Sequence, residues 1–289
     1  MNLLDALGTA LTMPFMVRAL VALLVLSVAA GTVSVFINLR GLEFLSDGLT
    51  HAVFPGLAIG FVFAGTGGVV IGALVAAALA TAVLTLLGRR SAVSDATIAI
   101  VLTAMFSIGV IVVSQSHEVT GQLEQLLFGH VLTLTALDMW VTVAVSLIAL
   151  VAILITRRSQ IMVAFDRDGA RAAGFRPLLT DVVLNVAIAL VVVAASSAVG
   201  NLLVLAVLIV PGAFARLWAG RIDVLAWLSI LFALAVSVIG LYAGFGISVA
   251  NNVPLPGGAT IALLAVIGYG LGVFLSWLGH LVARRRALP

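Results

Sequence analysis

The chain has 289 residues, of which 63% are hydrophobic and 9% charged, whereas charged residues make up about 25% of an ordinary soluble protein. This composition excludes a water-soluble domain, and the length allows at most about a dozen membrane-spanning helices. All 14 cationic side chains are arginines, and lysine and cysteine are absent, which excludes a P-loop lysine, a Schiff base and a thiolate ligand.

Stretches without Asp, Glu, Lys or Arg predict where the chain crosses the membrane, because a charge at the bilayer centre costs at least ~2.5 kcal/mol. They predict nine apolar segments: one in 19–39, two in 48–88 folded at residues 65–68, one in 96–117, one in 139–156 extended back toward Val131, two in 182–215 and two in 224–283. The 182–215 stretch is short for two crossings and contains Gly200 and Asn201, which indicates two short or broken helices. The predicted fold is an all-α polytopic membrane domain, residues 1–289, with eight to nine transmembrane helices.

Arginines follow every odd-numbered segment and so indicate the orientation. They are Arg40, Arg89 and Arg90, the arginines within 157–176, Arg216 and Arg221, and the arginines within 284–286. Because cytoplasmic loops are enriched in arginine, this pattern predicts a cytoplasmic C-terminus and an outside N-terminus. Arg18, at the outer end of the first segment, opposes the pattern unless its side chain snorkels to the interface.

The main polar signal inside an apolar segment is Asp47 followed by His51. Residues four apart share one face of a helix, with Cβ atoms about 5–6 Å apart, so a carboxylate and an imidazole converge. Pro55 has no N–H, which leaves the His51 carbonyl free as a third donor. Oxygen and imidazole donors without sulfur suit divalent zinc, manganese or iron. The pattern predicts a metal site at Asp47 and His51, with Pro55 on the substrate pathway.

A simpler interpretation is that Asp47 and His51 pair with each other between helices and bind nothing. Ionisable groups within a membrane nevertheless indicate function by default, because their desolvation is expensive. Glu43, one turn before Asp47, is expected to pair with Arg40 at the cytoplasmic surface rather than bind metal. Four further polar residues lie in the predicted outer loop, where ordinary loop polarity is preferred to a metal-collecting rim: His117, Glu118, Glu124 and His130.

Asn201 and Pro211 belong to the short pair of segments in 182–215. Pro211 frees the carbonyl of Val207, and Asn201 places an amide near a helix break. Discontinuous helices often mark substrate sites, so both residues are candidates for the substrate pathway. The alternative is a proline kink with an asparagine that faces a loop.

The longest charged stretch, 157–177, is predicted to lie in the cytoplasm. Asp166 or Asp168 can cap a short helix that runs through Ala173, Gly174 can end it in the left-handed conformation, and Pro177 prevents its continuation. An alanine face between two phenylalanines suits docking into a groove on another protein. A plain interfacial connector is the alternative.

Four stretches resemble the permease subunit of zinc/manganese/iron-type ABC importers over nearly the whole chain, in order. They are residues 46–56, 126–129 ahead of 132–133, 165–175, and 199–211 followed by Ala213. The resemblance implies that Asp47 and His51 bind the transported metal, and that the 163–175 helix is the coupling helix that docks on the ATPase. The coupling residues would be Phe165, Asp166, Asp168, Gly169, Arg171 and Gly174.

The resemblance also implies partners and a location. The protein would be a multi-pass subunit of a prokaryotic plasma membrane, working as a homodimer with cytoplasmic ATP-binding subunits and an extracytoplasmic metal-binding receptor. The divalent metal is then the transported substrate, and no cofactor is expected to be bound permanently.

The chain is not expected to be an enzyme, because it contains no Gly-x-x-x-x-Gly-Lys-Ser/Thr motif and no lysine with which to build one. ATP would be hydrolysed by the partner, and alternating access would carry the ion across. A first alternative is a self-sufficient secondary metal-ion transporter that uses the broken segments as its site. A second is an intramembrane metalloenzyme, which would need more metal ligands than the spans contain.

Overall fold

The computed structural model describes residues 13–88, 95–114, 129, 131–201, 204–251 and 255–286. Within these ranges the fold is all-α, as the sequence predicts. The helices are α1 (Pro14–Arg40), α2 (Glu43–Gly88), α3 (Asp95–Ser114), α4 (Ala136–Phe165), α5 (Arg167–Ala172), α6 (Pro177–Ala198), α7 (Val204–Arg216), α8 (Ile222–Asn251) and α9 (Gly257–Arg286), with a 3-10 turn at Val131–Thr133 before α4.

In the described part of the chain, seven helical stretches are long and apolar enough to cross a membrane. They are Pro14–Arg40, Glu43–Gly65, Gly67–Leu86, Ala136–Phe165, Pro177–Ala198, Ile222–Asn251 and Gly257–Gly279. The shorter apolar helices Ile98–Val112 and Val204–Arg216 account for the remaining two of the nine predicted segments. The polytopic helical fold is therefore confirmed.

Helix α2 consists of two arms that fold back on each other, as the glycines at 65–68 predict. The backbone leaves the helical conformation at Ala64 and Gly65, and Gly65 adopts φ 59° and ψ −149°, which a residue without Cβ tolerates. The two arms pack backbone to backbone, because a Cβ on Gly60 would lie 2.2 Å from the Gly68 carbonyl oxygen. Close approach of this kind is typical of small residues spaced by four in membrane helices.

Helix α1 forms the centre of the bundle and packs against α4, α6, α7 and α8. In its most apolar 18-residue stretch 72% of the residues are buried, against 22% in the corresponding stretch of α9. Small polar side chains join it to its neighbours: Ser27 bonds Ser237 of α8 at 2.8 Å, and Ser229 of α8 donates to the Gly31 carbonyl at 2.7 Å. Hydroxyl bonds of this type stabilise helix contacts where no water is present to satisfy polar groups.

The prediction that both segments in 182–215 are short or broken is wrong for the first of them. Helix α6 has 22 residues and begins at Pro177, so Asp181 lies inside it rather than before it. The acid is tolerated there because it pairs with Arg40 and Arg167. The second segment, α7, is short as predicted, with 13 residues and Pro211 inside it.

The fifth segment extends back past Asp138, as predicted, but its helix stops short of Val131. Val131 begins a 3-10 turn, and helix α4 starts only after Thr135, whose hydroxyl forms a capping box with Asp138. At its other end α4 continues beyond Arg157 to Phe165, and Arg157 pairs with Asp223 of α8.

Charged side chains gather at one end of the bundle, which we call the arginine end. It is defined by the ion pairs of Arg40 and Arg167 with Asp181, and of Arg157 with Asp223. Helices α1, α4 and α7 finish at this end, whereas α2, α6 and α8 start from it.

Candidate metal-transport site

Asp47 and His51 lie on one face of α2, close to the arginine end. The first turns of α2 are regular, since the Ser46 hydroxyl donates to the Leu42 carbonyl at 2.9 Å and the Thr50 hydroxyl donates to the Ser46 carbonyl at 3.0 Å. This regularity brings His51 Nε2 to 3.4 Å from Asp47 Oδ1. The convergence expected from their spacing is therefore present.

The distance between the two donor atoms suits a shared metal ion better than a strong direct hydrogen bond. Charge-assisted N–H···O bonds are about 2.7–2.9 Å long, and 3.4 Å exceeds that range. Two donors that are each about 2.1 Å from one metal lie about 3.0–3.4 Å apart across an octahedral or tetrahedral edge. The separation of the two atoms is therefore compatible with one ion bound by both.

The surroundings fix the imidazole but leave the pair accessible. The Phe106 ring of α3 meets the His51 ring edge to face, with centroids 5.5 Å apart and an interplanar angle of 88°. Gly48 allows α3 to pack closely here, since a Cβ at this position would lie 2.7 Å from a methyl carbon of Ile98. The side chains of His51 and Asp47 remain 26% and 29% exposed.

The described residues of one chain supply too few ligands for a complete site. Among the residues that the structure describes, no group of three or more His, Cys, Asp or Glu side chains is placed to hold a metal. The polar residues of the predicted outer loop, His117, Glu118, Glu124 and His130, lie outside the described residues. The described site thus consists of one carboxylate and one imidazole, with the His51 carbonyl as the predicted third donor.

Pro55 lies inside α2 without interrupting it, because non-helical backbone angles occur in this helix only at Ala64 and Gly65. The residue is buried, and α3 crosses it at Gly109, where a Cβ would lie 3.0 Å from the Pro55 Cα. Pro55 also borders an apolar groove of about 490 Å³ between α2 and α3. Its role on the substrate pathway stays a prediction.

Asn201 lies apart from the Asp47–His51 pair, and Pro211 belongs to another helix, α7. Asn201 follows the far end of α6, about 30 Å along that helix from the arginine end. It is fully buried and accepts a hydrogen bond of 3.1 Å from the Ser196 hydroxyl. Pro211 packs inside α7, where the neighbouring Gly212 N–H is bonded to the Ser34 hydroxyl of α1 at 2.8 Å. A pathway role for either residue stays a prediction.

The charged loop contains the short helix that its sequence predicts. Asp166 is the cap, because its carboxylate accepts hydrogen bonds from the N–H groups of Asp168 and Gly169 at 3.1 and 2.8 Å. Gly174 ends the helix with φ 85°. The helix spans only Arg167–Ala172, so Phe165, which is 70% exposed, is the last residue of α4 instead.

Asp181 and Gln160 of the arginine end were not predicted from the sequence. Arg40 pairs with Asp181 and not with Glu43 as expected, and it also donates to Gln160 at 3.2 Å. Arg167 of α5 reaches the same Asp181 carboxylate at 2.5 Å. A single acid next to a long apolar run was the available signal, since such a charge requires a partner.

Together the fold and the site define a polytopic membrane permease with a metal-compatible pair inside its bundle and a capped helix outside it. The chain belongs to the ABC 3 transport family, whose model matches residues 12–276. The family resemblance inferred from the sequence is therefore confirmed.

Known proteins support the same assignment. The chain is 32% identical over 265 residues to the manganese import system permease protein ScaB of Streptococcus gordonii, with 91% of each chain covered. It is 31% identical to the manganese transport system membrane protein MntC of Halalkalibacterium halodurans, over 92% of this chain and 89% of that one. Among solved structures, PsaBC from Streptococcus pneumoniae in complex with Fab matches with a TM-score of 0.80 and 29% identity, over 93% of this chain and 94% of that chain.

Proposed function

We propose that this chain is the permease subunit of an importer that moves manganese, or a similar divalent transition metal ion, into a prokaryotic cell. The observation that carries the proposal is the Asp47–His51 pair, 3.4 Å apart on α2 of an ABC 3 family member. Its relatives named for manganese transport support that cargo. The pair offers oxygen and nitrogen donors without sulfur, which suits manganese, zinc and iron, and geometry must select among them.

The proposed importer is a homodimer. A divalent transition metal binds four to six donors, and the described part of one chain offers at this site only Asp47, His51 and a main-chain oxygen. A second copy that brings the same pair to the same ion doubles the donor set. The partial exposure of both side chains agrees with an ion reached from outside this chain.

In the proposed orientation the arginine end faces the cytoplasm. Arginine-rich ends of membrane proteins are retained on that side. Arg18, the exception in sequence, turns back along α1, where its Nε donates to the Pro14 carbonyl at 3.3 Å. Snorkelling of this kind places the guanidinium at the outer surface and removes the conflict.

Energy enters through α5 in this proposal. The helix is short and capped, it is exposed at Asp168 and Arg171, and the exposed Phe165 lies just before it, so this segment can dock on a cytoplasmic ATP-binding subunit. ATP binding and hydrolysis there would tilt the helices around Asp47 and His51 between outward and inward openings. An extracytoplasmic receptor would deliver the ion, so that the loosely liganded site in the permease can release it.

Metal uptake into proteoliposomes tests the proposal. The chain is reconstituted with its ATP-binding partner and receptor, and uptake of manganese, zinc and iron is measured with and without ATP. We expect ATP-dependent uptake that falls at least about tenfold in His51→Ala and Asp47→Ala, because a ligand is lost. Glu43→Gln is the matched control on the same helix, and it should retain uptake.

Three results would contradict the proposal. Equal uptake by His51→Ala and the control would remove the metal site. Uptake by this chain alone, driven by an ion gradient without ATP, would identify a secondary transporter. A metal:dimer ratio unaffected by both ligand substitutions, measured on the purified complex, would place the metal elsewhere.

A further inference from the structure

We propose that Asp181 couples the exposed helix α5 to the metal-binding helix α2, acting through Arg167 on one side and Arg40 on the other. The inference rests on the proposed function, because it assigns a positioning role within ATP-driven transport. Asp181 is not one of the proposed metal ligands. It lies in the first turns of α6, where its carboxylate receives both guanidinium groups.

The first contact joins α5 to Asp181. Arg167 is the first residue of α5 and approaches the carboxylate with two nitrogens, Nη2 at 2.5 Å from Oδ2 and Nη1 at 3.4 Å from Oδ1. A two-nitrogen contact of this kind fixes orientation as well as distance. Within the described residues, the Arg167–Asp181 contact supplies the side-chain hydrogen bonds that join α5 to another helix. A tilt of α5 therefore acts directly on Asp181.

The second contact joins Asp181 to α1. Arg40 is the last residue of α1, and its side chain is only 10% exposed. One of its nitrogens contacts Asp181, and the other donates at 3.2 Å to Gln160, which is fully buried in α4. Because the carboxylate is shared, a displacement of Arg167 changes the balance of charge around Arg40.

A two-residue connection carries any movement of Arg40 into α2. Gly41 closes α1 in the left-handed conformation, with φ 62°, and the Leu42 N–H bonds back to the Ile37 carbonyl at 3.0 Å. The Leu42 carbonyl in turn accepts from both the N–H and the hydroxyl of Ser46, each at 2.9 Å. The residue after Ser46 is the metal ligand Asp47. Ion pairs and main-chain hydrogen bonds therefore connect α5 to Asp47 at every step.

A second ion pair at the arginine end provides the matched control. Arg157 of α4 contacts Asp223 of α8, so this pair joins neither α5 nor α2. This pair is also open to solvent, with side chains 47% and 77% exposed, whereas Asp181 is 21% exposed. Solvent-exposed ion pairs contribute little to stability, so loss of the Arg157–Asp223 pair should leave transport unaltered.

The test compares Asp181→Asn, Arg167→Gln and Asp223→Asn in the complex with the ATP-binding partner. The measured quantity is the number of manganese ions transported per ATP hydrolysed, with manganese binding measured in parallel. We expect the ratio to fall about fivefold in the first two variants, as for residues that link two sites. Manganese binding should stay unchanged in all three, and the ratio should stay unchanged in Asp223→Asn.

Arg167→Gln keeps the proposal testable if Asp181→Asn fails to assemble, because it leaves the Arg40–Asp181 pair intact. A wild-type ratio in Arg167→Gln would overturn the inference, and so would an equal fall in Asp223→Asn. Absence of ATP-dependent uptake in the wild-type complex would instead reject the proposed function.

Amide hydrogen exchange over residues 43–51 gives a readout that needs no transport. Exchange there should be faster in Arg167→Gln than in Asp223→Asn, because the start of α2 loses its connection to α5. Identical exchange in the two variants would overturn the connection even if transport proved to be normal.

Discussion

Alanine at Gly60 would place a methyl group between the two arms of α2. The added Cβ would lie 2.2 Å from the Gly68 carbonyl oxygen, 2.8 Å from the Gly68 carbonyl carbon and 3.2 Å from the Gly72 Cα. All three atoms belong to the main chain. No side chain can rotate away to relieve the overlap, so one arm must move as a unit.

The size of the effect follows from the required movement. An ordinary carbon–oxygen contact is about 3.4 Å, so the arms must separate by about 1 Å at this level. A gap of about 1 Å forfeits up to about half of the dispersion energy of the atoms that face it. We therefore expect Gly60→Ala to destabilise the protein by about 1–3 kcal/mol, as overpacking does in other tightly packed cores.

The assay is the midpoint of heat-induced aggregation of the purified protein in detergent. At about 2–4 °C per kcal/mol, Gly60→Ala should lower the midpoint by several degrees. Gly270→Ala is the matched control, because a Cβ there meets nothing within 4 Å. An equal midpoint for the two variants would refute the backbone-to-backbone packing of the α2 arms.

Two further substitutions test a contact between helices and the cap of α5. Ser34→Ala removes the hydroxyl that accepts a hydrogen bond from the buried Gly212 N–H at 2.8 Å. In the same heat assay we expect a loss of stability of about 1–3 kcal/mol. Ser114→Ala, at an exposed position, should show no loss of stability. Asp166→Ala removes the cap of α5, which costs about 1 kcal/mol and should speed exchange of the Gly169 amide about fivefold.

The control for the cap is Asp168→Asn, which removes the exposed pair with Arg171 at 3.2 Å and leaves the Asp166 carboxylate in place. Equal exchange of the Gly169 amide in this variant and in Asp166→Ala would show that the Asp166 carboxylate does not hold α5. For the contact between α1 and α7, Ser34→Ala and Ser114→Ala are compared by the midpoint of heat-induced aggregation. Equal midpoints would show that the Gly212 N–H finds another hydrogen-bond partner.

Much of the fold could be predicted because the relevant free energies are local. An uncharged run of about 20 residues is driven into lipid by its own transfer free energy, whichever helices surround it. The turn at Gly65 and the cap at Asp166 are local in the same sense, since each depends on the backbone within a few residues. The Asp47–His51 convergence also required only helical geometry over one turn.

The choice of partners could not be predicted in this way. The sequence places Glu43 three residues from Arg40, and yet Arg40 contacts Asp181, which is 141 positions away. The same holds for Ser34 and Gly212, whose bond spans 178 positions. Periodicity describes which face of a helix is polar, but it does not specify which other helix meets that face.

The sequence by itself determined that this protein crosses the membrane many times, that an acid and an imidazole share a face of α2, and that a capped helix interrupts the charged loop. Only the tertiary structure decided that α1 is the central helix, that the arms of α2 touch through glycines, and that Asp181 joins α5 to α1. The reason is physical: hydropathy and helical periodicity are properties of neighbouring residues, whereas burial, close approach and ion pairing depend on how distant segments pack.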